Sequence, residues 1–385
     1  MRGSQQTMTG STKSCWFSRH GFFYSKGNVA HCCMQQTLFG KHDWRDVSDL
    51  DEFYASRSEF SEIRSSLDSG QEHPACESCW FYERSYGESQ RTTVTYPDGG
   101  GKGILYADLR LTNRCNLQCK MCFPGDSDQI QSLHMDLVSR GIESPMAGYM
   151  PNVEPHDIGN LVDGLIGLRD LRYLRLAGGE PFVMPEVETL LSRLVDVGKT
   201  DLELHIITNC TSSKPRLIDL LGRFTRVKLS CSIDGIGETI EYQRYPSKWS
   251  NIESNFKIFV DSGFEVCVSP CVGLLNYLDL HNLLEWARKF DCSISYDEIL
   301  EPSFLNFRFI PVDARLAFYD RFSRMDLSHA DPRWVRFRDE VMYEHLDPTP
   351  DQIADLRKHV GLIWDRNRGP KFLERYPWAA GFLRD

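Results

Sequence analysis

Three cysteines fall within eight residues, Cys115-Asn-Leu-Gln-Cys119-Lys-Met-Cys122, a C-x3-C-x2-C spacing. The apolar segment before them, Ile104–Leu111, reads as a strand, which sets the triad on a loop at a strand's end. One short loop can present three thiolates to three irons of a cubane cluster. The fourth iron then has no protein ligand and stays open. Electron-transfer clusters are held by four cysteines and have no such vacancy. A structural zinc ion wants four ligands in paired sets, and this loop shows no nearby fourth Cys or His.

The chain has 13 cysteines in 385 residues. In a reducing compartment that usage points to metal or catalysis rather than disulfides. Met1–Ser14 is polar, and no uninterrupted apolar run reaches membrane-spanning length, so the expectation is a cytoplasmic protein without a membrane span. A formal net charge of −10 with no dense Lys/Arg run offers no field that would gather phosphates, and nucleic acid is not expected as a partner. Cys210, Cys231, Cys267, Cys271 and Cys292 stand singly in apolar segments and are expected in the core as small hydrophobes.

Past the triad, helical and apolar segments alternate. Helices are expected near Gln129–Arg140 and at Asp157–Leu168, Pro185–Val197, Pro215–Phe224, Asn251–Ser262 and Leu278–Phe290. Strands are expected at Leu171–Ala177, Leu202–Thr208, Val227–Ile233, Phe264–Val272 and Ser293–Tyr296. Such alternation argues for βαβ units and a parallel sheet. About six strands fit a partial barrel better than a closed eight-stranded one. Residues 1–100 are rich in turn formers, aromatics and cysteine with little regular periodicity. They lead into a loop at Tyr96–Gly103, and Ser144–Pro155 reads as a second loop. From Val312 the pattern is helical and polar, with Trp334, Trp364 and Trp378 as packing anchors. The expected fold is therefore α/β: a partial (β/α)6 TIM-like barrel over 101–300, a small cysteine-rich module at 1–100 and a helical extension at 301–385.

Two further sets of residues bear on chemistry. Ala177-Gly178-Gly179-Glu180-Pro181 ends one strand and opens a helix, a turn where glycine lets backbone approach a ligand closely; a plain helix entry with Pro in its first turn is the alternative. Thr208-Asn209 and Ser232-Ile-Asp234-Gly235 end the next two strands, where parallel barrels place ligands. Turn and cap chemistry is the simpler reading of Thr208, Asn209 and Asp234, and a surface ion pair that of Arg244. In the N-terminal region, Cys15 and Cys32 with Cys76-x2-Cys79 supply four thiols that can close a cluster's coordination or hold tetrahedral zinc.

The triad, with the GGEP turn one βα unit later, resembles the signature of the radical S-adenosylmethionine (SAM) superfamily, in a form typical of its SPASM/twitch branch. The resemblance covers about residues 104–280. It implies a [4Fe–4S] cluster on Cys115, Cys119 and Cys122 whose open iron chelates SAM. It implies SAM contacts from Gly178, Gly179, Glu180 and Pro181, from Thr208, Asn209 and Asp234, from Ser232 and Arg244 at the carboxylate and ribose, and from Asn276. A guanidinium suits that carboxylate. Cys210 stands where relatives often have glycine after Thr-Asn. The pattern of Cys15, Gly27 and Cys32, and the stretch from Cys76 through Glu83, Gly87 and Ser89 to Arg91, resemble SPASM/twitch modules, which carry auxiliary iron–sulfur clusters. Such modules usually follow the barrel, and here the cysteines precede it. One auxiliary cluster is implied, with Cys33 a rival of Cys32 as ligand. The implied activity is reductive SAM cleavage to a 5′-deoxyadenosyl radical that abstracts hydrogen from a substrate. A reductant such as flavodoxin or ferredoxin is the implied partner, and a peptide or protein the implied substrate. The alternatives are a small-molecule or nucleoside substrate, or a non-catalytic iron–sulfur or zinc protein.

Overall fold

The computed structural model of the chain describes residues 14–35, 49–94, 103–149, 158–290, 292–328, 330–366 and 371–383. Most of the expected loop at 96–103, the start of the chain and the end of the expected 144–155 loop lie outside the described residues. No described helix is long and apolar enough to cross a membrane. The strands are β1 Gly21–Ser25, β2 Asn28–Ala30, β3 Tyr106–Arg110, β4 Tyr173–Leu176, β5 Glu203–Thr208, β6 Arg226–Cys231, β7 Glu265–Val268, β8 Cys271–Val272, β9 Ser293–Ile294 and β10 Asp297–Glu298. The class is α/β as expected, and β3, β4, β5, β6, β7 and β9 match the six anticipated strands in order.

The chain divides into two compact units. The first is built from residues 1–111, 155–175 and 196–203. In it β1 runs parallel to β3, with Gly21 opposite Tyr106 and Ser25 opposite Arg110. β2 returns antiparallel to β1, with Ser25 opposite Asn28. The two-residue turn between them is Lys26-Gly27, at φ 50 and 91. Positive φ at both central positions is the turn whose twist matches a hairpin, and it explains Gly27. The sequence reading missed β1 because all five of its residues are buried, which erases the period-two alternation. Helices Leu50–Ser56, Ser58–Asp68 and Glu77–Tyr86, also unread, fill out this unit.

The second unit is built from residues 112–154, 176–195 and 204–385. β6 pairs parallel with β7 and β7 with β9, while β8 and β10 form a separate parallel pair. The helices Pro185–Asp196, Pro215–Leu221 and Trp249–Asp261 fall within three residues of their expected bounds, and Leu280–Ala287 is shorter than read. The strand expected over Phe264–Val272 is broken into β7 and β8, because Pro270 has no N–H for a ladder. Cys210, Cys231 and Cys267 are core residues as expected. Cys271 and Cys292 are only half-buried, which corrects their assignment to the core.

The C-terminal region of this unit packs Tyr277, Phe307, Phe318, Phe322, Trp334 and Phe337 into one aromatic cluster. Trp334 and Trp364 are buried anchors, while Trp378 is half-buried. Beside the cluster lies a fully buried arginine. Arg315 donates from Nε to the Ile310 carbonyl at 2.6 Å, from Nη1 to that of Glu344 at 2.6 Å and from Nη2 to that of Arg308 at 2.5 Å. Arg315→Met should cost about 3 kcal/mol in chemical denaturation, since three backbone carbonyls lose donors worth about 1 kcal/mol each.

Two histidines of the second unit are buried neutral. His134 binds the Ser144 hydroxyl through Nδ1 at 2.7 Å, and its ring lies 6.5 Å from that of His359. Burial, with His359 as a second cause, lowers His134 from 6.5 to about 4, and burial lowers His359 as well. Each therefore binds fewer protons folded than unfolded below pH 6.5. For His134 the stability this neutrality supplies is complete above pH 6.5 and is lost as pH falls from there towards 4, by up to about 1.4 kcal/mol per pH unit, and His359 adds a loss of the same sign. Unfolding free energies should be flat in this contribution from pH 7.5 to 6.5 and fall between pH 6.5 and 4, and His134→Gln should make that fall shallower.

Candidate functional site

The cysteine triad occupies a loop pinned from several sides within the second unit. The Cys115 N–H donates to Asp128 Oδ1 at 3.0 Å, and Ser127 Oγ donates to the Leu117 carbonyl at 3.0 Å, so the start of the helix Asp128–Ser139 fixes the front of the loop. The Gln118 N–H donates to the Tyr245 carbonyl at 2.6 Å and the Lys120 N–H to that of Gln243 at 2.9 Å. Cys115, Cys119 and Cys122 open into one cavity of about 240 Å3, shared with Met121, Phe123, Asp126, Gly179, Asn209 and Arg244. Burial pushes the Cys119 thiol up to about 12 and raises those of Cys115 and Cys122 as well. Thiols so placed are unreactive until a metal displaces their protons.

The GGEP turn is locked against this loop. Gly178 and Gly179 lie at φ 76 and 48. A Cβ on Gly179 would stand 2.2 Å from the Arg114 carbonyl oxygen and 2.6 Å from Met184 Cε. The Glu180 N–H donates to that same Arg114 carbonyl at 2.9 Å, one residue before Cys115. Pro181 is the buried first residue of a short 3-10 turn. The Glu180 carboxylate is 1% exposed and holds three donors: Phe182 N–H at 3.0 Å, Thr208 Oγ at 2.8 Å and Asn209 N–H at 2.6 Å. Burial raises its pKa, opposed by the Asn209 and Phe182 N–H groups. Glu180 thus acts here as a strut between the ends of β4 and β5. Asn209 reaches the cysteine loop, donating to Asn116 Oδ1 at 3.0 Å.

Cys210 takes φ 60, the left-handed region that glycine adopts without penalty.

Behind the cavity wall lies a buried ionic knot. Arg244 donates from Nε to Asp234 Oδ2 at 2.5 Å and from Nη2 to Oδ1 at 3.1 Å. Asp234, fully buried, also accepts from Gln243 Nε2 at 3.1 Å and from the Cys271 N–H at 2.8 Å. Asn276 donates to the carbonyls of Asp234 and Cys271 at 2.8 and 3.0 Å and accepts from the Gly273 N–H at 2.8 Å. Of the residues expected around SAM, Gly179, Asn209 and Arg244 therefore line the cavity. Thr208, Glu180, Asp234 and Asn276 spend their polar atoms in the supporting network, and Ser232 gives its N–H to the Thr208 carbonyl. Met121, Phe123 and Asp126 were not singled out from sequence. Their adjacency to the triad was the available signal.

The other cysteine set lies in the first unit. Cys15 caps a short helix, Trp16–His20, and Cys76 precedes the helix Glu77–Tyr86, which carries Cys79. Cys15 and Cys76 pack against Ile63, Leu67, Ala75 and Trp80. Burial raises Cys15, Cys32, Cys76 and Cys79, and repulsion between neighbouring thiols adds to it: Cys32 feels Cys33 most, then Cys15 and Cys79, and Cys76 feels Cys15 and Cys79. Cys33 is turned to other company. Its Sγ lies 3.8 Å from Gln90 Oε1 and 3.9 Å from Arg175 Nη1, beside the Arg175–Asp108 ion pair at 2.6 Å. Along the stretch from Cys76 to Arg91, Gly87 ends the helix at φ 82, and Glu83 accepts from Ser89 Oγ at 2.6 Å and grips the Arg91 fork.

Among the described residues no three His, Cys, Asp or Glu side chains converge on a single ion position. Tetrahedral zinc would draw its thiolate sulfurs to within about 3.8 Å of each other.

Residues 109–287 match the family model of the Radical SAM superfamily. Among curated proteins, a GTP 3',8-cyclase of Synechocystis is 24% identical over 208 residues, covering 54% of this chain and 57% of that protein. GTP 3',8-cyclase 2 of Pseudomonas aeruginosa is 26% identical, covering 52% and 56%. The chain thus spans little more than half the length of these relatives. Among solved structures, Streptococcus suis SuiB bound to S-adenosylmethionine is 14% identical at a TM-score of 0.37, covering 60% of this chain and 55% of that one.

Proposed function

We propose that this chain is a radical SAM enzyme with its cluster on Cys115, Cys119 and Cys122, a reading supported by the match of residues 109–287 to the Radical SAM superfamily model. The observation that carries this reading is the cavity of about 240 Å3 into which the three thiols, Gly179, Asn209 and Arg244 all open. The donor set fits the group. The cavity lining offers three thiols and no fourth, which would leave one iron of a cubane for an external chelate. When bound, the cluster supplies one electron to the sulfonium of SAM, whose cleavage provides the oxidant for a substrate C–H bond.

The protein's part is positioning. Gly179 keeps the cavity wall open to the cofactor's backbone contacts. Glu180 fixes the turn and the β5 end as one piece. Arg244, held rigid through Nε and Nη2 by Asp234, presents its guanidinium to the cavity beside Cys119, where a carboxylate can meet it. The apolar side chains of Met121 and Phe123 help keep water from the reacting atoms.

Cys15, Cys32, Cys76 and Cys79 form the proposed auxiliary site, with one iron–sulfur cluster. The orientation of Cys33 towards Arg175 supports Cys32 as the ligand. On substrate class, the curated relatives' names support a nucleotide above the peptide that the twitch resemblance implied. A one-electron donor of the flavodoxin or ferredoxin type completes the scheme.

Equilibrium dialysis tests the assignment. Reconstituted wild-type protein should bind SAM, and a Cys115→Ala, Cys119→Ala, Cys122→Ala protein should not, while Cys76→Ala, Cys79→Ala should keep SAM binding and lose only auxiliary iron. SAM binding that survives loss of the triad contradicts the reading. Product formation with GTP and with peptides, run side by side, decides the substrate class.

A further inference from the structure

Lys120 sits inside the cysteine loop, between Cys119 and Cys122, and is 6% exposed. Its ammonium lies 4.2 Å from the centroid of the Tyr242 ring and 5.8 Å from that of Trp364. It makes no side-chain hydrogen bond and no ion pair among the described residues. The carboxylate that acts on it most, Asp365, accepts from the Phe372 N–H at 2.9 Å instead. A buried ammonium without a hydrogen-bonded anion is costly, and ring faces repay only part of that cost. The backbone at its root is fixed, since the Lys120 N–H is bonded to the Gln243 carbonyl.

Asp365 offsets part of that cost through space, and the cysteine site, through Cys119, is the other source of negative charge. Three thiolates around a cubane give the proposed group a net negative charge, which grows by one on reduction. Reduction potentials of such groups follow net charge, hydrogen bonding and solvent exposure. A cation kept dry within the ligand loop favours the more negative, reduced state, because low dielectric preserves its field. We propose that Lys120 is the electrostatic partner of the cluster on Cys115, Cys119 and Cys122, a positioning residue whose buried ammonium raises that group's reduction potential. This rests on the radical SAM reading of the same site. Tyr242 and Trp364 serve as the apolar sleeve that keeps the charge unhydrated.

The experiment is an anaerobic potentiometric titration followed by electron paramagnetic resonance, using full-length protein reconstituted as wild type, Lys120→Met and Lys120→Arg. The signal that changes on adding SAM identifies the titrated cluster. Lys120→Met should reduce about tenfold less at a fixed donor potential, a 59 mV fall for a one-electron couple. Lys120→Arg should titrate with the wild type, since a guanidinium keeps the charge and stacks on the same rings. The apoprotein of Lys120→Met should melt at or above the wild-type temperature, because an unpaired buried charge has gone. A residue with only a packing role would instead lower the apoprotein's melting temperature and leave the potential alone. Failure of Lys120→Met to load its cluster, with Lys120→Arg loading and titrating normally, is the same result in stronger form. Equal potentials in wild type and Lys120→Met overturn the proposal, as does loss of the cluster from Lys120→Arg. A wild type with no SAM-responsive signal overturns it together with the reading of the site, whereas equal potentials leave that reading standing.

Discussion

Gly179→Ala is expected to lose about 3 kcal/mol or more of stability and to leave the Cys115–Cys119–Cys122 site largely without iron after anaerobic reconstitution. The cause is local. At φ 48 an L-residue pays a backbone cost of about 1 kcal/mol. The added methyl would also stand 2.2 Å from the Arg114 carbonyl oxygen, which is backbone and cannot rotate away. Relief requires moving Arg114, and Cys115 is the next residue. Stability and cluster loading should therefore fail together. Gly198→Ala is the matched control: its φ is 76, and a Cβ there meets nothing within 4 Å. It should cost only the backbone share, about 1 kcal/mol, and load iron normally. Urea denaturation with iron and sulfide analysis of both proteins makes the comparison. Equal behaviour of the two variants would show that the close approach of Gly179 to Arg114 does not set the loop.

Asp234→Ala should be the most damaging change away from the triad, at about 3–5 kcal/mol. The carboxylate is fully buried and accepts four hydrogen bonds, two from Arg244, one from Gln243 and one from the Cys271 N–H. Its removal leaves a guanidinium, itself 8% exposed, uncompensated in the interior. Arg244 also loses what aims it at the cavity, so SAM affinity should fall about tenfold or more, worth about 1.4 kcal/mol. Asp234→Asn, which keeps the shape and two acceptor lone pairs, should recover part of the stability and little of the affinity. Thermal melts and equilibrium dialysis give the two readouts. A protein that melts normally and binds SAM normally without this carboxylate would remove Arg244 from the site.

Much of this was readable from the chain because the second unit follows simple rules. Pro185–Asp196 and Pro215–Leu221 each open on a proline at the first turn, and β5 alternates buried and half-buried side chains along its length. The triad and the GGEP turn were legible because their chemistry is carried by consecutive residues. The first hundred residues resisted for physical reasons. β1 is buried throughout, so its period is hidden, and its sheet partner β3 lies some eighty residues away. The roles of Asp234 and Asn276 were also beyond reach, since both are set by hydrogen bonds to segments tens of residues distant. Cys32 and Cys33 are adjacent in sequence, and only the placement of Arg175 and Asp108 separates their directions.

One measurement bears on the centre of the account. Oxygen-free protein with its full complement of iron and sulfide, given SAM and dithionite, should release 5′-deoxyadenosine and methionine, and SAM should alter the spectrum of the reduced cluster. A fully loaded protein that binds no SAM and releases no 5′-deoxyadenosine would contradict an open iron on Cys115, Cys119 and Cys122, and with it the function proposed for the chain.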